Sequence, residues 1–362
     1  MRPTSPRSDC GSVSSMSSDD EGMRQTLSFT LEPDKVRKVH DDAVEAFDAA
    51  LAKVGTGEVN HFIDPRRLQT FEGGGPPVWS VATVPTKDGT LYLTYGMSEA
   101  IDPARIGVRF EMSVMVPGEP TMWPALLLRA LCRYMLGSRR PLEVGQSMPF
   151  PDPITRFFAP PEEAEHYPNT AMNAAFFAED PALPRIETEH GNVQVRRAVG
   201  LYDDERALLD LWTPEGFSGA LVERNRGLVT DIGRAPYSED PAFVSTIEAG
   251  SLEDGSRVGF VAVPGVQWGH DEDHHLFVSF PGGEHAKRIL QMIRARLPFE
   301  RNLLVHDLDP EQRRAVAFEP SKGLSFRKEG ETLVMEISPD HELFDTFEQV
   351  GDGPGVNWRF GG

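Results

Sequence analysis

Cysteine is nearly absent: the 362 residues hold 2, Cys10 and Cys132. That weighs against a disulfide framework and fits a reducing cytoplasm. No apolar run approaches the roughly 20 residues that span a bilayer. The opening Met1-Arg2-Pro3-Thr4-Ser5-Pro6 also lacks the apolar stretch of a secretory leader. The expectation is a cytoplasmic chain with no membrane partner. Basic residues are in deficit, 36 Lys and Arg against 56 Asp and Glu, for a formal charge of −20. Contacts to a phosphate backbone need clustered cations, so nucleic acid is set aside and a basic or polar peptide suits the chain better. Catalytic signatures are missing too. Gly216-Phe217-Ser218-Gly219 is not a nucleophile elbow, and Gly73-Gly74-Gly75-Pro76-Pro77 lacks the Lys-Ser/Thr of a phosphate loop. No catalytic residue and no cofactor is expected.

What the chain does have is material for a core. With 39% hydrophobic residues, 21 Phe and 5 Trp over 362 positions, it is long for one interior and sufficient for two. Residues 1–25 are rich in Ser and end in Asp19, Asp20 and Glu21, a composition too poor in large apolar groups to offset the entropy of ordering, so a disordered tail is expected. Apolar residues spaced by three and four predict a helix from Pro33 to Gly55. Partial alternation over 78–84 and 91–97, separated by Lys87-Asp88-Gly89, predicts a hairpin. The cleaner alternation of 106–116 predicts a third strand, with Val108, Phe110, Met112, Val114 and Val116 on one face. Residues 123–136 are apolar almost all round, with Pro124 in the first turn and Gly137 at the end, so a helix buried against the sheet is expected.

Further strands are expected at 171–177, 193–201 and 228–232, with helices at 203–212 and 238–252, the latter led by Ser238 and Pro241. A strand over 257–263 then passes into a second domain, with strands at 275–280, 314–318 and 332–337 around a helix at 284–296. The division is a tail to residue 25, one domain over 26–250, a second over 251–350, and a flexible end at 351–362. The fold class is α+β, each domain a mainly antiparallel or mixed sheet packed with helices.

The segment Tyr95-Gly96-Met97-Ser98-Glu99 and the helix from Trp123 to Tyr134 resemble the core signature of the Suppressor of fused family. Gly216-Phe217-Ser218 and Leu228-Val229-Thr230-Asp231 look like the elements that close that family's N-terminal domain. His275-Leu276-Phe277-Val278 and the helix ending Arg294-Ala295-Arg296-Leu297 are similar, more loosely, to the start of its C-terminal domain. Lacking the long insertion of animal members, the chain resembles a compact bacterial-type member. The resemblance implies a non-enzymatic, protein-binding module of two domains that takes an extended peptide between them by adding a strand to a sheet edge. Carried over by position, Arg133 and Tyr134 match the helix end lining that cleft, and Val258 and Phe260 lie on the strand edge that pairs with the peptide. Gln146, after Gly145, stands where animal members carry an acidic residue, so the same peptide is not expected. The implied role is sequestering a protein or peptide partner such as a toxin domain, as an immunity protein or adaptor.

On the residues alone, Tyr134 equally fits a core position and Gln146 a solvated one. Two alternatives remain. One is a regulator that masks a transcription factor. The other is a metal-dependent enzyme built on His270-Asp271-Glu272-Asp273-His274-His275. That cluster lacks the i, i+4 histidines of a zinc-hydrolase helix, and a solvated acidic turn without metal is the expectation there.

Overall fold

The computed structural model describes residues 33–63, 80–98, 109–138, 140–160, 162–189, 191–309, 314–350, 353 and 355–360. The expected tail, residues 1–25, lies outside them. Helix α1 (Pro33–Val54) buries Val44, Phe47 and Leu51, the three-and-four spacing that predicts it, against Ala82, Leu91, Leu93 and Tyr95. After the two-residue β1 (Asn60–His61) come the hairpin strands β2 (Ser80–Thr86) and β3 (Gly89–Tyr95). Gly89 is required there: its φ is +140°, and a Cβ would fall 2.1 Å from the Val116 carbonyl oxygen. Strand β4 (Phe110–Val116) pairs antiparallel with β3, and α2 (Trp123–Ser138) covers the face that carries Phe110, Met112 and Val114. The helix continues one residue past Gly137.

The sheet is completed by β5 (Ser147–Pro149), β6 (Ala174–Glu179), β7 (Arg185–Thr188) and β8 (Gly191–Leu201), in the order β1-β2-β3-β4-β8-β6-β5 with β7 beside β8. The β4–β8 pair is parallel, so the sheet is mixed. Its two faces go to different partners because side chains alternate along β6: Ala175 and Phe177 join the α2 cluster, whereas Ala174, Phe176 and Ala178 join the cluster of the next three helices. Those helices are α3 (Asp203–Leu211), α4 (Pro214–Arg224) and α5 (Pro241–Asp254).

Several expectations in this stretch need correction. Helix α4 is not anticipated because Gly216 and Gly219 lower helix propensity. Thr213 nonetheless caps it by accepting from the Gly216 N–H, and Pro214 follows at the first turn. Gly216 also admits the Trp212 ring, which a Cβ would meet at 2.2 Å, and Gly250 of α5 admits the same ring equally closely. The cap of α5 is Asp240, accepting from the Ala242 N–H, not Ser238, whose hydroxyl is held by Asp204. The strand expected at 228–232 is reduced to one bridge between Met115 and Val229, because Leu228 has φ +48° and the Asn225 side chain takes both backbone groups of Val229.

Beyond Gly255, which closes α5 at φ +73°, lie β9 (Phe260–Val263), β10 (Gln267–His270), β11 (Leu276–Phe280), α6 (Gly283–Arg294), β12 (Leu303–Asp307) and β13 (Ala315–Pro320). Then follow β14 (Ser325–Glu329), β15 (Thr332–Ile337), α7 (Asp345–Gln349) and β16 (Val356–Phe360). They form a five-stranded sheet, β14-β15-β13-β12-β9, and a three-stranded one, β10-β11-β16. Strand β16 corrects the expected flexible end at 351–362: it pairs with β11, and Trp358 is buried with the Phe280 and Phe347 rings 5.3 and 5.4 Å away. No strand pairing links the first sheet to the later two among the described residues. The apolar interior is nevertheless continuous, since Phe217, Phe243 and Ile247 of α4 and α5 belong to one cluster with Ile289 of α6 and Val305 of β12. Arg288 of α6 reaches Asp210 of α3 at 2.8 Å across this joint. Burial raises the Asp210 pKa, and Arg288 opposes that shift. Position 250 lies inside α5, so the change of sheet comes after that helix.

Candidate partner-binding edge

Strand β9 is brief and ends its sheet. It runs parallel to β12, with Phe260, Val261, Ala262 and Val263 beside Leu304, Val305, His306 and Asp307. The Leu304 N–H donates to the Gly259 carbonyl and the Leu308 N–H to the Val263 carbonyl. In a parallel ladder this register turns the backbone groups of Val261 and Val263 toward β12 and those of Phe260 and Ala262 away from it. The outer side of β9 therefore offers two N–H and two C=O groups with no strand beside them among the described residues. The side chains alternate as well. Val261 and Val263 are buried, whereas Phe260 is 59% exposed. Phe260 stands beside Leu304, and Leu304 beside Ala317 of β13, so an apolar row crosses the outer face of the sheet.

The approach to this strand is anchored. The Ser256 hydroxyl donates to the Asp210 carbonyl at 2.5 Å and accepts from the Val258 N–H at 3.0 Å. The Ser256 carbonyl accepts from both Arg296 and Arg301, each at 2.9 Å. Val258 is half-buried and precedes the strand, and its N–H is satisfied within the chain. Of the two positions expected to meet a partner strand, Phe260 alone turns its N–H outward.

The other candidate residues lie elsewhere. Arg133 and Tyr134 are exposed on α2, with Tyr134 at 42%, so the core alternative for Tyr134 does not hold. Helix α2 covers the Phe177 face of the first sheet, while β9 packs into the cluster that contains Phe176. The two groups thus belong to opposite faces of β6. Gln146 is exposed and closes a turn: its side-chain oxygen accepts from the Glu143 N–H, and its carbonyl accepts from the Phe177 N–H. Residues that sequence reasoning passed over are Arg257 and Glu215, whose side chains meet at 2.9 Å where the chain enters β9. Their sequence context marks neither.

Beneath the first sheet's surface are two buried charge sites. Arg197 and Asp180 are wholly buried and joined at 2.7 Å, with Arg197 also donating to Ser113 and to the Gly227 carbonyl. Glu111 is buried and accepts from the Thr94 hydroxyl, the Ser98 hydroxyl and the Gly96 and Ser98 N–H groups. Desolvation pushes its pKa from 4.5 up to about 7 against those hydrogen bonds. Both sites hold strands and loops in place. Within the histidine and aspartate cluster, Asp271, Asp273 and His275 offer ligand atoms within 4.8 Å of one another. The Arg359 guanidinium bridges the two carboxylates, at 2.5 and 3.2 Å, and competes for the charge that a cation would need.

Comparison with known proteins converges. Residues 76–235 match the family model described as Suppressor of fused protein (SUFU). The Suppressor of fused homolog of Homo sapiens is 21% identical over 290 residues, 70% of this chain and 57% of that protein. The homolog of Mus musculus is 22% identical over 192 residues, 47% of this chain and 37% of that protein. This chain thus spans less than two thirds of the length of the curated relatives it matches. The crystal structure of Drosophila Suppressor of Fused has the same fold, with a TM-score of 0.53 at 15% identity over 85% of this chain and 90% of that one. Strand β9 lies beyond the residues that the family model matches. No helix among the described residues is long and apolar enough to cross a membrane.

Proposed function

Because this chain belongs to the Suppressor of fused family, we propose that it is a non-enzymatic binding module that captures an extended segment of a protein partner on the outer side of β9. The observation that carries this is the outward-turned pair of backbone groups at Phe260 and Ala262, beside an exposed Phe260 ring. Main-chain hydrogen bonds there would supply affinity, and the apolar row of Phe260 and Leu304 would favour apolar side chains at alternate partner positions. The partner is a protein or peptide, and a toxin domain neutralised by an immunity protein or adaptor fits the acidic charge of −20. The chain works in the cytoplasm in this account, with the segment after Gly255 as a second domain and Arg133, Tyr134 and Gln146 as a further contact zone.

The experiment is a binding comparison with a partner isolated by pull-down. Phe260→Pro removes an outward donor and should weaken binding at least about tenfold, roughly the net worth of one well-made hydrogen bond plus the disturbed pairing. Val258→Pro removes a donor used internally by Ser256, so it should lower stability more than it lowers affinity. Tyr134→Arg tests the helix zone on α2. If the partner bound all three variants as tightly as the parent, the edge would not be the site.

A further inference from the structure

Away from β9, a groove of about 430 Å³ opens between the end of α5, one stripe of α6 and the turn at 339–345. Leu290, Ile293 and Phe344, all nearly buried, line its base, with Pro298 and Pro339 beside them. Leu252 lines it too and is 65% exposed, the most exposed large apolar side chain among the described residues. An apolar residue standing alone on a surface is ordinary, but one that shares a recess with three others and two prolines makes a continuous apolar patch. The charges around it are mainly acidic. Arg294 is engaged by Glu348, whereas the carboxylates of Asp340 and Asp345 make no hydrogen bond or ion pair with another described residue. Glu253 and Glu342, the chain neighbours of Leu252 and His341, are exposed as well. The walls present no strand edge. Helices α5 and α6 hold their backbone groups in helical hydrogen bonds, and the turn is closed by the His341 and Phe344 N–H groups donating to the Ser338 and His341 carbonyls. The His341 Nδ1 accepts from the Leu343 N–H and completes that closure.

From these features we infer that the groove docks an amphipathic helix of a basic protein partner. Leucine-type side chains would lie against Leu252 and the α6 stripe of Leu290 and Ile293, and lysines or arginines would face Asp340 and Asp345. An extended segment would find no backbone to pair with here, so recognition falls to side chains, which a helix presents along one face. A second copy is the poorer occupant. The chain carries a formal charge of −20, and a two-fold contact would set the same acidic rim against itself. No residue of β9 lines the groove, so this contact goes beyond strand capture, and either can fail without the other.

The test uses a dye-labelled, alanine-based peptide of about 18 residues, roughly five helical turns, with leucines along one stripe and lysines opposite, titrated into the full chain by fluorescence anisotropy. It should bind saturably. A peptide of the same composition with its leucines scattered around the helix should bind at least about tenfold more weakly, because no apolar face then meets the groove. Replacing the lysines by glutamates should abolish binding. Leu252→Glu should weaken the striped lysine peptide at least about tenfold. The added negative charge would by itself attract that peptide, so the loss reports the apolar contact. Met122→Glu, the same kind of change at another exposed apolar position, should leave the affinity unaltered. Asp340→Asn combined with Asp345→Asn should weaken it about two- to fivefold and reduce its salt dependence, with thermal melting used to confirm the fold of each variant. Equal affinity for the striped and scattered peptides, no saturable binding of either, or binding untouched by Leu252→Glu would overturn the assignment. Self-association of the free chain in sedimentation velocity, abolished by Leu252→Glu, would overturn it in favour of a second copy.

Discussion

The first sheet and the five-stranded sheet treat their surfaces differently. The first is covered on both faces, by α2 on one side and by α1, α3, α4 and α5 on the other, and it conceals two buried polar sites, Glu111 and the Arg197–Asp180 pair. The five-stranded sheet turns Val305, Val316, Phe318 and Met335 into the shared cluster on one face and leaves β9 without a neighbour on its outer side among the described residues. A covered sheet with internal charges is specified by its interior and offers a partner little backbone. A sheet with an open edge strand exposes the groups from which a new strand is built. The contrast supports the proposal that the second sheet, and not the first, receives a partner strand.

Breaking the scaffold should give the largest effect. Arg197→Met leaves Asp180 buried without a counter-charge and should destabilise the protein by about 3–5 kcal/mol in urea unfolding. Glu111 comes next, through pH. Its folded pKa of about 7 lies above its ordinary 4.5, so the native state keeps a proton that the unfolded chain releases. The resulting stability is present below about pH 4.5 and is lost as pH rises through 7, by at most roughly 3 kcal/mol. Glu111→Gln should flatten that part of the stability profile. On β9 the contrast sharpens between adjacent residues. Val261→Ala, on the buried side, should cost about 2 kcal/mol, whereas Phe260→Ala, facing out, should fall within about 0.5 kcal/mol in the same measurement.

The parts legible in the sequence were those with strong local periodicity. The α1 spacing of Val44, Phe47 and Leu51, the hairpin around Gly89 and the apolar α2 all announce themselves, and the family signature falls on the same stretch. Helix α4 was hidden because Gly216 and Gly219 lower its local propensity, and the packing that asks for glycine at position 216, the Trp212 ring held also against Gly250 of α5, becomes visible only in the folded chain. Strand β16 was hidden because the short alternation of Val356, Trp358 and Phe360 acquires meaning only beside β11. The same limit governs the candidate site. Phe260 was marked by position, but which of its backbone groups turn outward depends on the register with β12, some forty residues later in the chain. The meeting of Glu215 with Arg257 depends on tertiary structure in the same way.

The most direct test of the capture edge needs no partner. Residue-resolved amide hydrogen exchange by NMR should find the Phe260 and Ala262 amides of the free protein exchanging quickly and those of Val261 and Val263 protected, because the latter pair alone donates to β12. Equal protection of all four amides in the free protein would mean that another part of the chain already covers this edge, and would contradict its assignment as the surface that receives a partner strand.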